Sequence, residues 1–114
     1  MPVEIKTVEY AIQIIVIAVK GRLDAFEAPG LRKQCEAYLA KGIAHFVFDL
    51  SELISLDSAG LAVLVSVLKH ARQAEGDVRL IWPKAEAASR ILKLTKFDSV
   101  FASIDSSQIV PKGF

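Results

Sequence analysis

Apolar and polar positions alternate at the start of the chain, with Val3, Ile5 and Thr7 set against Glu4 and Lys6. That period of two predicts a half-buried edge strand over Val3–Val8. Ile12–Lys20 is denser in β-branched residues and predicts a strand buried on both faces. Gly21–Asp24 reads as a turn. Ala28, Leu31, Cys35 and Tyr38 or Leu39 then recur at helical spacing, leaving Arg32, Lys33 and Glu36 for water. Proline fits only the first turn of a helix, so Pro29 sets the start near Phe26, and Gly42 stops the helix after Lys41. Ala44–Leu50 is the third strand, with both faces covered. A second helix runs from Ser58 or Ala59 to about Glu75 and ends at Gly76. Val78–Trp82 is a strand closed by Pro83. A third helix begins at Ala85 and reaches Lys93 or Thr95, with Ala88, Ile91 and Leu92 inward and Leu94 a further candidate. A short strand near Val100–Phe101 and a polar tail complete the chain. The order is β-β-α-β-α-β-α-β. Crossover connections of this kind imply an α/β fold, with a mixed, mostly parallel sheet and helices packed on it, in a single domain over residues 1–114.

Composition narrows the function classes. Hydrophobic residues make up 53% of the 114, which predicts a strongly apolar interior. The longest apolar run, Ile14–Val19, is far short of the ~20 residues that span a bilayer. Glu4 and Glu9 interrupt the region where a signal peptide would be basic and then apolar, so a cytoplasmic protein is expected. A formal net charge of +1 leaves no footprint for direct nucleic-acid binding or an anionic membrane. The single cysteine, Cys35, permits neither an internal disulfide nor a cysteine-rich metal site, and a small apolar core role suits it. His45 and His70 have no cysteine or histidine spaced to join them as metal ligands. Ser58 and His70 stand about 18 Å apart on a continuous helix, which rules out a triad through that histidine. No glycine-rich phosphate loop is present, and no cofactor is expected. Trp82 at a strand end suits the core, with stacking on a nucleotide as the other reading.

The chemistry concentrates at Asp57-Ser58-Ala59-Gly60-Leu61, directly after the strand that ends Phe46-Val47-Phe48-Asp49-Leu50. A hydroxyl is placed at a strand-to-helix turn beside a carboxylate, without a nearby base or electrophile. Such a hydroxyl suits receiving a phosphate better than performing catalysis. Ser58 can also be read simply as the helix N-cap, and Asp57 as a turn residue or a second cap. Asp24, after a turn glycine, can cap the first helix or contact a partner. Along the second helix, Leu61, Leu64, Val65 and Leu68 cluster on one side as the expected core face. Ala62, Val63, Ser66 and Val67 occupy the side where a surface helix carries charges. That apolar patch is either covered by the domain itself or kept for a partner, a homodimer mate included.

Gly21-Arg22-Leu23-Asp24, the strand His45–Leu50 and above all Leu56-Asp57-Ser58-Ala59-Gly60-Leu61 resemble a STAS domain, the fold of bacterial anti-sigma-factor antagonists. The resemblance runs from about Val3 to about Ile104. It implies that Ser58 is phosphorylated by a partner that is both anti-sigma factor and serine kinase. It further implies that Asp57 supports that site and that the Asp24 loop shares its contact surface. Ala59 departs from the second hydroxyl residue that often follows in the family, leaving Ser58 as the hydroxyl of the motif.

The function expected on this resemblance is partner switching by a protein that is not an enzyme. The unphosphorylated form binds the kinase through Asp24, Asp57, Ser58, Ala59, Gly60, Ala62, Val63, Ser66 and Val67, and so releases a sigma factor. Phosphorylation of Ser58 ends binding, and a phosphatase restores it. Two alternatives share the same surface: a STAS subunit on the ATPase of an ABC-type lipid transporter, and a scaffold subunit of a stress-sensing assembly.

Overall fold

The computed structural model describes residues 3–9, 13–97 and 101–104. In chain order its elements are β1 (Val3–Glu9), β2 (Gln13–Val19), β3 (Gly21–Leu23), α1 (Ala28–Ala40), β4 (His45–Asp49), β5 (Leu53–Leu56), α2 (Ser58–Gln73), β6 (Asp77–Ile81), α3 (Glu86–Leu94) and β7 (Ala102–Ile104). Five strands form one sheet in the order β1-β2-β4-β6-β7. β1 lies antiparallel on β2, and every later pairing in that sheet is parallel. The expected α/β class and the mostly parallel sheet are therefore present. Ile12, Val100 and the tail from residue 105 onward lie outside the described residues.

Strand burial follows the patterning. In the edge strand β1, Val3 is half-buried and Ile5 is exposed. In β2, four consecutive residues, Ile14, Ile15, Val16 and Ile17, are buried, and in β4 so are Phe46, Val47 and Phe48. Burial without alternation means that both faces of the central strands are covered. Phe46 stacks on Phe48 with ring centroids 6.4 Å apart and receives the edge of Tyr38 at 6.5 Å. Each fully buried aliphatic or aromatic side chain of this kind contributes about 1.5–3 kcal/mol.

Two short strands were not anticipated. β3 and β5 pair in parallel as a separate two-stranded sheet, with Arg22 opposite Ser55 and Leu23 opposite Leu56. Residues 21–24 read as a turn because three residues are too few to show a period. Gly21, at φ 73°, lets the chain leave β2 and enter β3, and its N–H donates to Glu52 O at 3.0 Å. The first helix begins at Ala28 rather than near Phe26, because Asp24 Oδ1 accepts the N–H groups of Phe26 (3.1 Å) and Glu27 (3.0 Å) and holds a tight turn there. Gly42 ends that helix as expected, at φ 84° with its N–H on Leu39 O. In α3, Ala88 and Leu92 are buried, whereas Leu94 is 75% exposed and does not face inward. α1 packs on α2, α2 lies over β5 and β6, and α3 lies against β5.

Candidate functional site

The site is built where β5 passes into α2. Leu56 is buried, and Asp57 takes an extended backbone (φ −112°, ψ −171°) as the N-cap of α2. Its N–H donates to Leu23 O at 3.2 Å, which continues the β3–β5 pairing into the helix start. Its carboxylate is used on both oxygens. Oδ1 accepts from Ala59 N (2.9 Å) and Gly60 N (3.1 Å), and Oδ2 accepts from Ala25 N (3.1 Å) in the loop after β3. The Gly60 N–H does most to hold the Asp57 carboxyl below its ordinary 3.8; desolvation, the next largest effect, opposes it, and the N–H groups of Ala25 and Ala59 reinforce the lowering. One ionised side chain thus caps α2 and ties the Asp24 loop to it.

Ser58 is therefore not the cap. Asp57, one residue earlier, has the extended backbone a cap needs and occupies the two free amides. Ser58 is the first helical residue and is exposed, and among the described residues its hydroxyl has no hydrogen-bond partner. The hydroxyl is presented to solvent by a rigid helix terminus instead of being consumed by it.

The face of α2 is rotated from the expected one by roughly a quarter turn. Gly60, Val63, Leu64, Val67, Leu68 and Ala71 are buried. Val63 and Val67, expected on the outer patch, are 0% and 3% exposed and belong to the core. Val65, expected inside, is 42% exposed, and Leu61 is half-buried. The reason is tertiary: α2 is held between α1 on one flank and β5 and β6 beneath, so the buried arc follows residues 60, 63, 67 and 71. Gly60 is buried as well and is not a surface contact. A Cβ there would stand 2.5 Å from Leu23 O and 2.9 Å from Leu23 Cγ, so its absence is what lets α2 settle on β3.

What α2 shows to solvent is the stripe Ser58, Ala62, Val65 and Lys69, in the helical spacing of one face. With Leu61, Ser66 and His70 this stripe lines a shallow surface depression of about 540 Å³. A second groove, of about 520 Å³, runs between α1 and α2, with Ala59 and Ala62 on one wall and Ala25, Ala28 and Pro29 on the other. Arg32 Nη1 donates to Ser66 Oγ at 3.2 Å across that groove, so Ser66 serves the α1–α2 junction. Asp24, half-buried, lies beside the site as expected, through the Ala25–Asp57 bond.

Two exposed apolar residues, Phe26 and Ile54, have no place in the sequence patterning, and Phe26 is the one tied to the site. Phe26, 88% exposed, projects from the turn between Asp24 and α1. Its signal in the sequence was an aromatic outside the apolar spacing of the helix it adjoins, but a start placed at Phe26 concealed it.

The remaining candidates are occupied elsewhere. α2 is continuous, so His70 stays about 18 Å along the axis from Ser58, and its Nδ1 lies 2.8 Å from Ser66 O. Cys35 is fully buried, and burial, with a smaller effect of Glu36, pushes its thiol up to about 12. Trp82 packs against the core with Nε1 donating to Ser89 Oγ at 2.8 Å. Among the described residues no group of three or more His, Cys, Asp and Glu is placed to hold a metal ion, and no helix is long and apolar enough to cross a membrane.

Known proteins resemble this chain in sequence and in fold. The anti-sigma-B factor antagonist of Listeria monocytogenes is 28% identical over 100 residues, which are 88% of this chain and 87% of that protein. A crystal structure from Thermotoga maritima, assigned to the anti-sigma factor antagonists, superposes with a TM-score of 0.81 at 27% identity, covering 91% of this chain and 86% of that one. SpoIIAA in its unphosphorylated form has the same fold, with a TM-score of 0.70 at 15% identity over 90% of this chain and 89% of that one. The STAS domain family model matches residues 5–108, which takes in every described element from within β1 to β7, the Asp57–Ser58 junction included. This chain belongs to the STAS domain family.

Proposed function

We propose that this protein is an anti-sigma factor antagonist that works by partner switching at Ser58. In its unphosphorylated form it binds an anti-sigma factor that is also a serine kinase, and a sigma factor is released. Transfer of a phosphoryl group to Ser58 Oγ ends that interaction, and a phosphatase restores it. The protein is then a regulatory binding protein and a kinase substrate rather than an enzyme. The observation that carries this reading is the solvent-facing, unengaged hydroxyl of Ser58 on a helix start that Asp57 has already capped. The names of the relatives, anti-sigma factor antagonists, support it.

The physical basis of the switch lies in the outer surface. The amides that would draw a phosphate into the helix terminus are held by Asp57, so a phosphate on Ser58 stays outside. It adds a charge of roughly −1.5 to −2 next to the Asp57 carboxylate and above Ala62 and Val65. Desolvating that charge against an apolar partner surface costs several kcal/mol, and each 1.4 kcal/mol is tenfold in affinity. Binding is lost while the fold is kept.

The test is capture from lysate of the source organism with Ser58→Ala and Ser58→Asp baits, followed by mass spectrometry. A kinase held by the alanine bait and released by the aspartate bait is the expected result. A transporter ATPase held by both baits would overturn the switching reading and place the protein in lipid transport.

A further inference from the structure

We propose that Phe26 is the aromatic anchor by which the kinase that modifies Ser58 docks on this protein; the inference rests on the partner-switching reading. A phenylalanine 88% exposed in a turn buries little apolar area in the fold of the free chain. Nor is it a loose side chain on a loose loop. Its own N–H donates to Asp24 Oδ1, the next N–H donates to the same oxygen, and the preceding N–H, of Ala25, donates to Asp57 Oδ2. The turn is thereby fixed to the residue immediately before Ser58. A partner that brings a phosphoryl donor to Ser58 covers the Phe26 turn at the same time.

The chemistry of the occupant follows from the surroundings. The ring follows Ala25 in sequence, and the groove between α1 and α2 runs from Ala25 and Ala28 toward Ala59 and Ala62, with the charged Arg32, Lys33 and Glu36 also along it. Glu27 follows the ring in sequence, and the Asp24 and Asp57 carboxylates accept the backbone amides of the same turn, so the turn carries acidic groups. The matching surface is an apolar pocket sized for an aromatic ring, with a cationic side chain at its rim facing Glu27. Large aromatics in a pre-ordered setting bind well because little side-chain and loop freedom remains to be lost. The same residue confers specificity, since a kinase lacking the pocket must leave the ring unburied or clash with it.

The experiment uses the full chain and the purified kinase recovered with the Ser58→Ala bait, with affinities measured by calorimetry on the Ser58→Ala background. Phe26→Ala is expected to weaken binding about thirtyfold or more, the range of an interface hot spot. Phe26→Trp should stay within about threefold of the parent, since the pocket takes an aromatic ring. Thermal midpoints of both variants should match the parent, so a folding defect cannot imitate the result. Phe26→Ala binding within about threefold of the parent overturns the anchor and leaves the switch standing. If the wild-type surface holds no kinase, the switching reading fails and the anchor with it. If Phe26→Ala abolishes only self-association in sedimentation, the occupant is a second copy of this chain and the kinase assignment is overturned.

Discussion

Replacing Gly60 by alanine sets two opposite expectations against each other. In an isolated helix the change is favourable by about 1 kcal/mol, because alanine loses less backbone freedom than glycine. In this fold the added Cβ would lie 2.5 Å from Leu23 O and 2.9 Å from Leu23 Cγ. The first of these is a backbone atom, so no rotamer relieves the contact. Either β3 or the first turn of α2 must retreat, and overpacking of this sort costs about 1–3 kcal/mol. Retreat also stretches the bond from Asp57 N to Leu23 O, 3.2 Å long in the native fold, and an unsatisfied buried carbonyl costs about 1–3 kcal/mol more. The net expectation is a loss of about 1–5 kcal/mol, centred near 3, since the propensity gain offsets only part of the other two effects. For a domain of this size the thermal midpoint should fall by about 10 °C. Circular dichroism melting of wild type and Gly60→Ala decides the matter. A midpoint that rises or does not move would refute the close packing of α2 on β3, and with it the reasoning that joins the Asp24 loop to the Ser58 helix.

The other predictions concern charge, exposure and burial. Ser58→Asp should leave the melting midpoint within a few degrees of wild type, since an acidic residue in the first turn is tolerated by the helix dipole; a large fall would mean that loss of binding reports unfolding. The Asp57 carboxyl is held below its ordinary 3.8, so its contribution to stability is present above that pH and is lost as the pH falls through the native value. Melting midpoints followed downward from pH 5 should therefore converge for wild type and Asp57→Asn, and parallel curves would disprove the capping role. Val63→Glu should unfold the domain, whereas Val65→Glu should fold normally and lose kinase binding tenfold or more, on the order of a hot-spot loss. Cys35, with its thiol raised to about 12, should resist a thiol reagent at pH 8 in native protein and react once urea unfolds it; native reactivity would contradict its burial.

The elements legible in the sequence were those long enough to show a period. β2, β4 and the three helices stand close to where their apolar patterning puts them, because a helix repeats burial of one face over several turns and a central strand is an unbroken apolar run. The Asp57–Ser58 junction was legible too, since a carboxylate and a hydroxyl between a strand and a helix advertise a cap and a modifiable group together. The short strands β3 and β5 were not, for they exist by pairing residues 32 or 33 positions apart, and three or four residues carry no periodic signal. Neither was the division of labour at the helix start. Both Asp57 and Ser58 can cap in principle, and only the backbone angles and the Ala59 and Gly60 amides assign the role to Asp57. The orientation of α2 belonged wholly to tertiary structure. Val63, Val65 and Val67 are the same residue type, and a helix apolar most of the way round has no preferred face of its own. Contact with α1 on one side and with β5 and β6 below placed Val63 and Val67 in the core and left Val65 on the exposed face that Ser58 begins.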